Sequence, residues 1–391
     1  MIRPLLRSAL ALGASCLAAP VPAATFCATN ALELSTALND AAGNGEDDVI
    51  RVATGTYDGG GIHDFDYAPA AFEGGDVGTS LVVEGGYTPF FDNPCGLLLV
   101  EDPLLTILDG GDVRRALELH VREGSDITIR LLTFANGTPG ADPFFYGGGL
   151  SYRALGGGDG SLTIERNVFL ANHAHSGGGL AVYQATAALR VINNLFISNS
   201  ADACGAAHVR KVDGPAPFDA AFITNNTVIG NTRTTTGVGG GGGICAYVED
   251  SDMFLYNNNL WGNDLNDLYL DGPGNLSVRN NNFEVRDGVE PSLEAGNISV
   301  EPVYEGGLLD FTPARTSPLV DAGLTGGDPD GGTWYLTEFD LRAKARLVGP
   351  DVDIGAYENE RIFTNGFETP GPFDAGRTET LCARLGCEGA R

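Results

Sequence analysis

Lysine is nearly missing from this chain: Lys211 and Lys344 are the only two among 23 bases, which face 51 acids over 391 residues. A formal charge of −28 repels nucleic acid and anionic lipid, so neither is an expected partner. Long apolar runs are also absent beyond the N-terminus, and a membrane-spanning helix needs about 20 such residues. There is no nucleophile elbow, phosphate loop or zinc-binding helix motif. Gly239 to Gly243 is followed by no Lys-Ser/Thr pair, so it reads as a corner and not a nucleotide cradle. What the chain does have is glycine, 56 in all, recurring at fixed points as tight corners require.

The first 24 residues read as an export signal: Arg3 and Arg7, an apolar stretch from Leu5 to Ala19, then small residues at Val21-Pro22-Ala23-Ala24. Its removal takes away two of the 23 bases and no acid, leaving 21 against 51 and a formal charge of −30. Six cysteines then remain, an even number in an exported chain. Cys27 and Cys95 bracket the N-terminal region and are the first expected disulfide; Cys382 and Cys387 are the second. Cys204 and Cys245 fall in neighbouring repeats about four strand positions apart. That is roughly 13 Å along a strand, too far for a bond.

The strongest pattern is a repeat of Asn-x-apolar. Asn167-Val168-Phe169, Asn194-Leu195-Phe196, Asn226-Thr227-Val228, Asn258-Asn259-Leu260 and Asn281-Asn282-Phe283 follow one another at 27, 32, 32 and 23 residues. In the first four, a second Asn stands three residues after the apolar one (Asn172, Asn199, Asn231, Asn263); the fifth has Arg286. Repeats of this length make stacked coils, because one coil cannot bury its own apolar face. Phe134, Phe169, Phe196, Val228, Leu260 and Phe283 are expected to stack as one internal column, each burial contributing about 1.5–3 kcal/mol. Successive Asn side chains are expected to bond as ladders. At about 4.8 Å per coil, seven to nine coils give a rod of roughly 35–45 Å.

The predicted fold is all-β, a right-handed parallel β-helix with a short N-terminal helical cap. The cap begins at a capping box, Asn30-x-x-Glu33, and continues with Leu34, Ala37, Leu38 and Ala41 at helical spacing. The predicted divisions are the signal at 1–24, cap and first strands at 25–104, coils at 105–305, a C-terminal closing module at 306–360 and a tail at 361–391.

The motifs Phe169-Leu170-Ala171-Asn172 and Phe196-Ile197-Ser198-Asn199, each followed by a glycine-rich corner, resemble the repeats of chlamydial polymorphic outer-membrane proteins. Ser317 to Gly323, Asp340-Leu341-Arg342 and Asp353-Ile354-Gly355-Ala356-Tyr357-Glu358 resemble the closing module called choice-of-anchor Q in exported bacterial β-helix proteins. Ile362 to Glu368 is similar to a tail motif of exported gammaproteobacterial proteins. The resemblance implies export and a place at or beyond the cell surface. It does not decide the activity, because the fold hosts lyases, hydrolases, adhesins and scaffolds.

Strand alternation nominates the chemistry. With Leu150, Leu180, Ala207 and Ile244 inward, one outward strip carries Ser151, Ala181, His208 and Cys245, and the strip beside it carries Arg153, Tyr183, Arg210 and Tyr247. A uronate lyase needs a cation on the carboxylate and a base for the neighbouring proton. Arg153 and Arg210 suit the first role, His208 or Tyr183 the second, and Tyr247 suits stacking on a sugar. A second surface gathers Phe144, Phe145, Tyr146, His173 and His175, a mixture suited to carbohydrate. No cofactor is expected; Glu249-Asp250-Ser251-Asp252 and Asp328-Pro329-Asp330-Gly331 are the paired acids that suit Ca²⁺. The leading expectation is non-catalytic binding of polysaccharide or another surface ligand. A uronate-polysaccharide lyase is the alternative, and a glycoside hydrolase with paired Asp the third.

Overall fold

A computed structural model describes residues 23–59, 65–67, 78–122, 124–140, 146–154, 160–185, 188–212, 220–235, 239–325 and 336–360. The export signal apart from its last two residues, Phe144, Phe145, Cys382, Cys387 and the pair Asp328 and Asp330 lie outside these residues.

Three long sheets, numbered 1 to 3 in the order the chain visits them, run the length of the solenoid. Sheet 1 has eleven strands, sheets 2 and 3 have eight each, and a fourth, three-stranded sheet lies between sheets 2 and 3. One coil shows the plan: Ser161–Glu165 in sheet 1, Val168–Leu170 in sheet 2, His173–Ser176 in the fourth sheet and Leu180–Ala185 in sheet 3. Neighbouring coils pair in parallel and in register, Phe134 against Phe169, Phe196, Val228, Leu260 and Phe283 in turn. The predicted internal column is therefore present, with ring centroids 5.0 Å apart for Phe134–Phe169 and 4.5 Å for Phe169–Phe196. The helix Ala31–Ala41 covers the first coil with Leu34, Ala37, Leu38 and Ala41, and Asn30 caps it by accepting from the Glu33 amide.

Both asparagine series form ladders at buried corners. Asn167, Asn194, Asn226, Asn258 and Asn281 each donate to the next side-chain oxygen at 2.9–3.2 Å, ending on Asn297. Asn172, Asn199, Asn231 and Asn263 do the same at 2.9 Å, and Asp267 accepts from Asn263 at the end. The left-handed residues are the ones just before each rung, such as Arg166 (φ 55°), Asn193 (φ 54°), Ala171 (φ 54°) and Ser198 (φ 54°). The rungs are thus freed to bond along the solenoid while their neighbours make the bend.

Cys27 and Cys95 form the expected disulfide. Cys204 and Cys245 also form one, with Cα atoms 5.4 Å apart, which corrects the reading from strand spacing. The register itself is as expected, His208 opposite Cys245. The extended path assumed between Cys204 and His208 is not: Cys204 is left-handed (φ 57°) at a corner, and the bend carries its sulfur back over Cys245. Gly240, at φ 112°, lies against the bridge; a β-carbon there would sit 3.1 Å from the Cys245 sulfur.

Residues 300–325 and 336–359 form a strap. It runs back along the outer face of sheet 2. Val300 bonds to Asn282, Tyr304 to Asn259, Leu324 to Asn257 and Ala356 to Thr227. Leu309, Leu341, Ala356 and Tyr357 pack on the outward Val168, Leu170, Leu195 and Ile197. This strap is pinned by a buried ionic knot. Arg346 donates to the carbonyls of Asp353 (2.8 Å) and Gly355 (2.6 Å), and its guanidinium is 3.8 Å from Glu358. Asp340 accepts from the amides of Arg342 and Glu358, and Asp353 from those of Asp321 and Asn359.

Burial pushes the Glu358 carboxyl up to about 8 and that of Asp353 up to about 6, against Arg346. A carboxyl whose folded value is raised favours the fold while protonated. Its contribution is full below its unfolded value, near 4, and is lost as pH rises through about 6 to 8. The expected result is a melting temperature that falls from about pH 5 to about pH 8.5, with a shallower fall in Glu358→Gln. An identical slope in that variant would remove Glu358 as the cause.

Candidate functional site: the outer face of sheet 3

Sheet 3 presents two outward rows. In the first, Glu118, Ser151, Ala181, His208, Cys245 and Tyr269 stand opposite one another coil by coil. In the second, His120 faces Arg153, Arg153 faces Tyr183, and Arg210 faces Tyr247, followed by Asp271. Between Val182 and Ala185 the pairing with the next strand shifts register. Even so, the Arg210 guanidinium lies 5.5 Å from the Tyr183 ring centre and 4.7 Å from that of Tyr247. Both distances are within cation–π range. Glu249 stands 3.4 Å from Arg210 and accepts from the Tyr247 hydroxyl at 3.3 Å.

Tyr146 joins the two surfaces nominated from sequence. Its ring stacks on Tyr183 at 5.4 Å and 17°, and meets His175 and His208 edge-on at 6.2 and 6.4 Å. Tyr146 and His175 of the side surface therefore form one patch with Tyr183 and His208 of the strip. His175 bonds to Asp202 (2.9 Å) and His173 to Ser200 (2.9 Å) in the next coil. Thr234, and then His175, hold the Asp202 carboxyl below its ordinary value.

His208 is half-buried, and its Nδ1 lies 2.9 Å from the buried Ser176 hydroxyl. Burial, helped by Arg210, pushes its pKa down to about 4. The imidazole is neutral at pH 7 and a weak base there. Efficient proton abstraction wants a base matched to the working pH.

Asp66, Glu118 and His120 are the one group among the described residues whose donor atoms, one per residue, converge within 4.8 Å. Glu118 also pairs with Arg115 and accepts from the His120 ring nitrogen at 2.8 Å. The His173 and His175 pair belongs to no such group among the described residues. Alternation in Leu117-Glu118-Leu119-His120 puts both polar residues outward and was a usable signal. Asp66, over fifty positions earlier, had none. Two acids of the Glu249 to Asp252 turn are separately engaged, Glu249 by Arg210 and Asp252 by Asn275.

No protein-family model, curated protein or solved structure matches this chain.

Proposed function

We propose that this is an exported protein that binds an acidic polysaccharide along the outer face of sheet 3 and does not cleave it. The observation that carries the reading is Arg210 held between the Tyr183 and Tyr247 rings, with Tyr146 stacked on Tyr183. Aromatic faces accept the C–H side of sugar rings, and a guanidinium pairs with a uronate carboxylate. Arg153 and Arg210 supply positive charge at the centre of the face, while Glu118 and Asp271 stand toward its ends. On a chain of net charge −28, that placement favours an anionic chain at this spot and disfavours it elsewhere. The low basicity of His208 supports binding over β-elimination.

The resemblance to exported β-helix proteins and to the choice-of-anchor module supports a place at the cell surface. Two disulfides are compatible with an oxidising compartment.

The test is calorimetric titration with alginate, pectate and chondroitin oligosaccharides. Arg210→Ala and Tyr183→Ala are each expected to weaken binding by about 10-fold or more, as anchors at the centre of a site do. Raised salt should weaken it further. Binding left unchanged by both substitutions contradicts the placement.

A further inference from the structure

A second surface is independent of sheet 3. Where the strap crosses the later coils it stands off from sheet 2 and leaves a groove of about 740 Å³, within the ~300–1,000 Å³ of small-ligand sites. In the earlier coils the outward positions of sheet 2 are Ala135, Leu170 and Ile197, all fully buried beneath the strap. In the later coils the same row continues as Ile229 and Trp261, which are only half-buried and line the groove. The strap supplies the facing wall with Glu301, Tyr304 and Phe311.

We propose that this groove binds a neutral oligosaccharide, with Trp261 as the stacking platform and Glu301 as an acceptor for sugar hydroxyls. The wall opposite is rigid: Asn259 donates to the Tyr304 hydroxyl at 2.7 Å, and Phe311 packs edge-on against Tyr304 at 5.2 Å. The space beside the indole is open. A β-carbon added at Gly230, Gly262 or Gly307 would meet nothing within 4 Å. Neither the Trp261 indole nor the Glu301 carboxylate has a hydrogen bond or ion pair among the described residues. Trp261 is half-buried and Glu301 exposed, and the bonding capacity of both is unspent, one as donor and one as acceptor. The charged groups lining the groove are acids, Glu301 and Asp310, and Asp310 is already held by Arg342. A lining without a cation disfavours uronates and sulfated sugars. A flat indole with neighbouring acceptors suits the apolar face and hydroxyl rim of an uncharged sugar.

The chain has two tryptophans, Trp261 and Trp334, so Trp334→Phe leaves the groove residue as sole reporter. Titrating that variant with cello-, xylo-, malto- and chito-oligosaccharides is expected to give a saturable change in indole emission with at least one series. By calorimetry, Trp261→Ala should lose about 10-fold or more in affinity for that series, as a stacking anchor does. Trp261→Phe should lose less, and it guards against a folding defect in the Ala variant. Glu301→Gln should weaken binding, whereas Arg210→Ala should leave it unchanged. No emission change with any neutral series, or neutral-sugar binding that survives Trp261→Ala, overturns the inference. Neither result bears on acidic-chain binding at sheet 3, which the Arg210 and Tyr183 variants test.

Discussion

Replacing Asn199 with Ala is expected to lower stability by about 3–5 kcal/mol, near the upper end for a single substitution. Asn199 accepts from the Asn172 amide at 3.1 Å and its side chain at 2.9 Å, and donates to the Phe169 carbonyl at 3.0 Å and to Asn231 at 2.9 Å. The site is fully buried, so no water replaces these partners. Each buried polar group left unpaired costs roughly 1–3 kcal/mol. The loss should depend on position in the ladder. Asn297, the last rung of the other series, likewise accepts from the Asn281 amide and side chain and donates to the Val278 carbonyl, but it is half-buried, so water can replace these partners and its loss should cost about 1 kcal/mol or less. Urea or thermal unfolding of the two variants checks this. Equal losses would mean that the ladder bonds are not what holds the corners.

Arg346→Met is expected to cost about 3–5 kcal/mol, because it leaves buried carboxyls facing one another without their cation. Arg346 is 1% exposed, among the buried Asp340, Asp353 and Glu358. Met retains much of the volume, so the effect reports on charge more than on packing. The damage should be local: the strap loosens and becomes sensitive to protease between Val300 and Asn359, while the coils keep their strand content. It should also be smaller near pH 5 than near pH 8, since acids that lose their cation fit the fold only when neutral. Global loss of strand signal with no selective cleavage would show that the strap is not a separate unit.

The coil architecture was legible because its chemistry repeats. Each Asn-x-apolar segment states the same corner, so Phe169 and Phe196 could be aligned, and their rows on sheet 3 followed from alternation. The strap was legible only as a set of motifs. Asp340, Asp353 and Glu358 carry no periodicity, and nothing in their order reveals that they surround Arg346 on the flank of sheet 2. The Cys204–Cys245 bond was missed because a left-handed cysteine at a corner has no sequence signature, unlike a glycine. At the candidate site, the pairs Arg153–Tyr183 and Arg210–Tyr247 followed from alternation, whereas the register shift after Val182 that separates them did not. The stacking of Tyr146 on Tyr183 was not legible either, because it joins different coils through a corner whose length alternation does not fix. The groove beside Trp261 depends on the strap's path and was invisible for the same reason.

The most direct measurement pairs binding with chemistry on one sample: retention of alginate, pectate and chondroitin by the full chain, followed together with the ultraviolet absorbance of unsaturated uronates. The account predicts retention of at least one acidic chain, lost in Arg210→Ala, with a flat absorbance trace with or without Ca²⁺. Rising absorbance abolished by His208→Ala would make this face a lyase site, and no retention of any acidic chain would contradict the proposed role of sheet 3.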